Sequence, residues 1–189
     1  KSHKADAKDE KTQSDTTKDE TNKIETKVNE DGTTEIVCTT KEPGEEYTIY
    51  QLPMMDNAGG AGYAIALPSG KLVMIDGGYQ LDGDYIHDFI VEHGGVVESW
   101  FITHPHFDHA GGLLYNLEQD FSDISIEKIY YSPFTQEFVE SKEAQPIISK
   151  ETESSFLFNQ FEAFRTSDNS KQNLSGIEYI PVKVKDQIS

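Results

Sequence analysis

The sequence predicts an α/β fold, with strands and helices alternating after an initial hairpin, behind a charged leader that stays out of the core. Three observations lead there. The hydrophobic period switches repeatedly between two and 3.6 residues from Tyr47 onward. A Pro68-Ser69-Gly70 turn joins two runs of β-formers closely enough to make them an antiparallel hairpin. The first 46 residues contain no aromatic side chain and almost no aliphatic one.

The leader, residues 1–46, is dominated by Lys, Asp, Glu and Thr. Such a composition cannot bury enough apolar surface to offset the entropy of ordering, so it reads as a disordered tether. Ile36-Val37-Cys38 is its one apolar patch and is too short to assign. The folded domain is expected over residues 47–189.

Within that domain, Tyr47–Leu52 alternates and reads as a strand. Asn57–Gly62 is a glycine-rich loop. It lacks the spacing of a phosphate-cradling loop and precedes a strand rather than a helix, so a turn is the better reading. Tyr63–Leu67 and Lys71–Ile75 are the hairpin strands, the second running into Asp76-Gly77-Gly78. Ile86, Phe89, Ile90 and His93 then fall at i, i+3, i+4 and i+7, with Gly94-Gly95 as the stop, which predicts an amphipathic helix. His93 lies on its apolar stripe as a core or dipole-facing histidine, and His87 lies off the stripe in solvent. Val96–Thr103 is a strand with Trp100 and Phe101 as packing residues, and Ala110–Leu117 is a helix. Ile126–Tyr131 is a further strand. Leu157, Phe161 and Phe164 make one face of a helix. Gly176–Val184 closes the series, its Pro181 marking an edge or a bulge.

Between strand and helix stands Thr103-His104-Pro105-His106-Phe107-Asp108-His109-Ala110-Gly111-Gly112, which holds three of the chain's six histidines. On an extended backbone His104 and His106 face one side. Asp108 and His109 follow where the chain turns, so they can approach from another direction. Imidazoles and a carboxylate together form an N/O donor set suited to Zn²⁺, with Fe and Mn as the other candidates. A scatter of unconnected surface histidines explains the spacing less well.

This stretch resembles the H-x-H-x-D-H signature of the metallo-β-lactamase superfamily, and the order around it, hairpin, Met74-Ile75-Asp76-Gly77-Gly78, helix, strand, motif, is similar too. The resemblance implies an αββα sandwich built from two similar halves, with metal at one edge. It places His104 and His106 in a first metal site and Asp108 and His109 in a second. Asp108 also orients the attacking water and carries its proton, and Asp76 braces the motif loop through hydrogen bonds. Within the superfamily the chain looks most like the extracellular hydrolase domain of competence-type DNA-uptake proteins, although Ala58–Gly62 stands where those carry Gln-Gly-Asp. No histidine follows His109, whereas the family draws further ligands from its second half. The expectation is therefore a C-terminally truncated domain holding the first half, weak in metal binding and inactive as it stands.

The implied function is metal-dependent hydrolysis of a phosphodiester or other ester-like bond. The alternatives are a lactone, thioester or β-lactam hydrolase of the same fold, and a surface module that keeps the fold without catalysis. Composition limits the partners. Lys and Arg number 16 against 34 Asp and Glu, giving a net charge of −18. Nucleic-acid affinity rests on neutralising phosphates, so strong binding to DNA or RNA is not expected. No apolar run is long enough to span a bilayer. A single cysteine, Cys38, excludes an internal disulfide. The chain starts at Lys1 without a signal-peptide pattern, and a flexible charged leader fits an extracellular or surface-tethered protein whose targeting segment lies upstream, with the cytoplasm as the alternative.

Overall fold

In the computed structural model the described residues are 23–30, 33–39, 46–54, 60–119, 121–132, 160–163, 165–166 and 176–182. Their strands form one mixed sheet. The strands are β1 (Lys23–Val28), β2 (Thr34–Thr39), β3 (Glu46–Gln51), β4 (Gly62–Ala66), β5 (Leu72–Asp76), β6 (Val96–Ile102), β7 (Ser125–Ile126), β8 (Lys128–Tyr131) and β9 (Glu178–Pro181). The order runs β1-β2-β3-β4-β5-β6-β8-β9, with short β7 beside β6.

Neighbours from β1 to β5 are antiparallel, and β5-β6, β6-β8 and β8-β9 are parallel. Parallel neighbours need crossovers. Helix α1 (Gly83–Glu92) supplies the first, from β5 to β6, and α2 (Phe107–Glu118) leads from β6 towards β7 and β8. Both helices pack on one face of the sheet. Ala64, Met74, Trp100 and Ile129 sit side by side across four strands, and all are fully buried. Ile86 and Ile90 of α1 and Leu113, Leu114 and Leu117 of α2 share their core. Burying each such side chain stabilises the fold by ~1.5–3 kcal/mol before entropy is counted. Helices laid on one face of a mixed sheet are the α/β layering expected from the sequence.

The hairpin strands β4 and β5, helix α1 and its stop at Gly94-Gly95 fall where the sequence puts them. Among the described residues β9 pairs only with β8, so Pro181 lies on an edge strand of the sheet that they form. Residues 160–163, 165 and 166 are helical, and Phe161 packs on Tyr131 and Tyr179. Leu157 and Phe164 lie outside the described residues or side chains, as do Met55 and the Cys38 side chain.

Two expectations are corrected. The disordered tether does not hold for residues 23–28 and 34–39, which form β1 and β2 and extend the sheet beyond β3. Counting aliphatics missed the cause: a strand added to an existing edge gains backbone hydrogen bonds, and its threonines and β-branched residues suit that surface. Cross-strand pairs reinforce the register, with Lys27 opposite Glu35 and Thr26 opposite Ile36. Asn29 closes the turn by donating to Thr33 Oγ1 (2.8 Å) and Glu35 Oε1 (2.7 Å). Residues 1–22 lie outside the described part.

The second correction concerns His87, expected in solvent. Its side chain is 13% exposed, its ring stacks on Phe121 at 3.8 Å, and its nitrogens lie 3.1 Å from Asp88 Oδ1 and 2.9 Å from Asp123 Oδ1. A partner outside the helix, contributed by the segment before β7, makes the off-stripe position a tie rather than a free surface. His93 follows expectation: half-buried, it stacks on Phe89 and contacts the Phe89 carbonyl at 2.8 Å.

Candidate functional site

Parallel neighbours end at the same edge of a sheet, so β5 and β6 deliver Asp76 and Thr103 side by side. Asp76 is buried and has φ 55, the one non-glycine residue in the left-handed region among those described. That conformation costs a non-glycine residue ~1–2 kcal/mol, so its surroundings must hold it there, and the contacts do. The indole N–H of buried Trp100 donates to the Asp76 carbonyl at 3.1 Å. Its carboxylate accepts from the Thr103 backbone N–H (2.9 Å) and from the Thr103 hydroxyl (2.8 and 3.0 Å). The same carboxylate lies 2.8 Å from His109 Nδ1. A carboxylate only accepts, so His109 Nδ1 carries the hydrogen of this contact.

The motif loop is braced a second time by backbone. Gly77 N–H donates to the His109 carbonyl at 2.6 Å and Ala61 N–H to the Asp108 carbonyl at 3.3 Å. Gly111 N–H and Gly78 N–H close the network, donating to the carbonyls of Gly78 and Ala61, both at 3.0 Å. Two N–H groups, of His109 and Ala110, converge on the His106 carbonyl, which starts α2. The helix thus begins at Phe107, earlier than the expected Ala110, and Asp108 and His109 occupy its first turn. An acidic residue there is favoured by the helix dipole. Met54 fills the space beside Gly60 and Gly78, as a gap-filling residue would.

The structure brings every residue singled out in the motif to one edge of the sheet. The rings of His104 and His109 lie 4.0 Å apart between centroids, and those of His104 and His106 lie 5.0 Å apart. Asp108 sits between the other two, its Oδ1 3.6 Å from His106 Nδ1 and its Oδ2 3.7 Å from His109 Nε2. Asp108 Oδ1 is buried with no hydrogen-bond partner. Burial, and then the neighbouring His109 and His106, hold the His104 pKa below the ordinary imidazole range, against the opposing pull of Asp76 and Asp108. Among the described residues no group of three or more His, Cys, Asp or Glu side chains is placed so that it could hold a metal ion.

Two participants escaped the sequence reading. Thr103 was assigned only to a strand end and Trp100 only to packing. The signal for Trp100 was available: a fully buried indole needs an acceptor for its N–H. Thr103 carried none beyond its place before His104.

A mixed sheet carrying a His/Asp-rich loop at the ends of its parallel strands defines an α/β protein with a cluster of titratable side chains at one sheet edge. Residues 58–162, more than half of the chain, match the sequence family described as the metallo-beta-lactamase superfamily, and the chain belongs to it. The match includes Asp76 and the whole of 103–112. No curated protein matches the chain. Membership makes metal-dependent hydrolysis the general expectation, and no helix among the described residues is long and apolar enough to cross a membrane.

Proposed function

We propose that the chain carries the metal-holding part of a hydrolase that cleaves a phosphodiester or other ester-like bond. The observation that carries the reading is the orphaned Asp108 Oδ1. A buried carboxylate oxygen without a partner costs free energy, and here it stands among three imidazoles on a doubly braced loop. That donor set fits zinc in kind: imidazole nitrogens and one carboxylate, with an outer carboxylate orienting His109. Fe and Mn share the preference for imidazole and carboxylate.

His104 and His106 would hold a first ion, and Asp108 and His109 a second. A bound ion of this type lowers the pKa of a water towards ~7 and polarises the oxygen under attack. The remaining work belongs to the chain. Asp108 orients the attacking water and accepts its proton at a carboxylate oxygen. Asp76 keeps the His109 proton on Nδ1. From the resemblance to the extracellular hydrolase domain of competence-type DNA-uptake proteins we propose phosphodiesters first among substrates, and from the charged leader a place outside the cell. Cleavage by protease added to intact cells tests that location.

The test of function is elemental analysis and metal titration of the full-length protein, followed by turnover of a bis-phosphodiester beside a lactone and a chromogenic β-lactam. Metal uptake and hydrolysis of the diester, both lost in Asp108→Ala, support the reading. Preference for the lactone or lactam moves the substrate class. Absence of metal uptake, or normal turnover by Asp108→Ala, overturns it.

A further inference from the structure

The Thr103 hydroxyl lies against three groups at once. Its oxygen is 2.8 and 3.0 Å from the two carboxylate oxygens of Asp76 and 3.0 Å from His104 Nδ1. A hydroxyl has one proton to donate, and a carboxylate can only accept. If the hydroxyl proton turned to His104, the Thr103 and Asp76 oxygens would face each other at hydrogen-bond distance with no hydrogen between them. The proton therefore goes to Asp76, and towards His104 the Thr103 oxygen can only accept. His104 Nδ1 must then carry a hydrogen, which in the neutral ring leaves the lone pair on Nε2.

We infer that Thr103 is a positioning residue whose hydroxyl passes the orienting effect of Asp76 on to His104, fixing that ring as the Nδ1–H tautomer. One buried carboxylate then orients two imidazoles of the motif in the same sense, His109 directly and His104 through Thr103. The choice of tautomer matters because only the unprotonated nitrogen of a neutral imidazole can ligate a cation. It also explains why a hydroxyl-bearing residue stands directly before the first histidine. The Thr103 backbone N–H donates separately to Asp76 Oδ1 at 2.9 Å, so the loop keeps an anchor when the hydroxyl is removed.

That second anchor makes the test clean. Thr103→Val keeps the side chain's shape and the backbone bond while deleting the hydroxyl, and Thr103→Ser restores it. The first readout is the His104 tautomer in metal-free full-length protein, from long-range ¹H–¹⁵N correlations of the ring at a pH where the imidazoles are neutral. Wild type and Thr103→Ser are expected to show the Nδ1–H form, and Thr103→Val a mixture with Nε2–H. The second readout is zinc affinity by competition with a chromophoric chelator, where Thr103→Val is expected to bind roughly 10–100-fold more weakly and Thr103→Ser near wild type. An unchanged tautomer in Thr103→Val, or a Thr103→Ser variant as defective as Thr103→Val, overturns the inference. Only the zinc arm rests on the metal-dependent reading: a wild-type protein that takes up no metal refutes that reading while the tautomer arm still decides this one.

Discussion

Gly111 offers a test in which two physical effects have opposite signs. It lies in the second turn of α2, and in an isolated helix Gly→Ala stabilises by ~1 kcal/mol. Here a Cβ on Gly111 would stand 2.6 Å from the Tyr79 carbonyl carbon and 2.9 Å from its Cα, and against the Gln80 nitrogen as well. Carbon atoms rest at ~3.5–4.0 Å, so the helix and the 77–80 turn must separate by roughly 1 Å. All three obstacles are backbone, so no rotamer change relieves the clash. Overpacking of this kind costs ~1–3 kcal/mol, and rigid neighbours put it towards the upper end, for a net loss of ~1–2 kcal/mol after the propensity gain. The same displacement would stretch the hydrogen bonds from Gly77 to His109 and from Gly111 to Gly78 that seat the motif. Gly111→Ala should therefore lower the urea midpoint at unchanged m-value and weaken zinc binding together. Gly70→Ala is the control. Gly70 has φ +81 in an exposed turn with open space around it, so alanine there costs only local strain and leaves zinc affinity alone. A Gly111→Ala protein as stable as wild type would mean that α2 does not press on the 77–80 turn, and the double bracing of the loop would fall with it.

His87 sets a pH dependence outside the motif. Partial burial lowers its pKa, but the hydrogen bonds and charges of Asp123 and Asp88 together outweigh burial and raise it above the ordinary value. A raised folded pKa means that the contribution is complete below the unfolded pKa of ~6.5 and is lost as pH rises through the folded one. With exposed carboxylate partners its size is ~0.2–1 kcal/mol. Urea midpoints of wild type minus His87→Ala should accordingly shrink from mildly acidic to mildly alkaline pH, and a difference independent of pH would refute the tie. Asp82, fully buried, accepts the Tyr79 N–H at 2.8 Å and holds the turn that supports α2. Asp82→Ala should cost ~0.5–2 kcal/mol as a lost cap, with Asp82→Asn recovering most of it in the same denaturation assay.

Periodicity made the central part of this fold legible. Ile86, Phe89 and Ile90 announce α1 because a helix on a sheet must bury one stripe, and Pro68-Ser69-Gly70 announces the β4–β5 hairpin because only a tight turn fits. The same logic fails at both ends of the argument. Lys23–Thr39 carries too little apolar surface for any core-based rule, since its pairing is supplied by backbone and by the edge of β3. His87 looked free because helical position says nothing about what another segment, here Phe121 and Asp123, places against it.

The site divides along the same line. His104, His106, Asp108 and His109 are readable because four polar residues compete for one short stretch, which no packing argument explains. The orientation of the His109 ring is not readable, because it is set from another strand by Asp76, itself held by Thr103 and Trp100. Asp76 connects these levels. Its strained backbone is held by the Trp100 indole and its carboxylate is shared between Thr103 and His109, so core packing, backbone strain and ring orientation meet in one residue. A loop held this way resists the rotations that would scatter its imidazoles, whether or not an ion is bound.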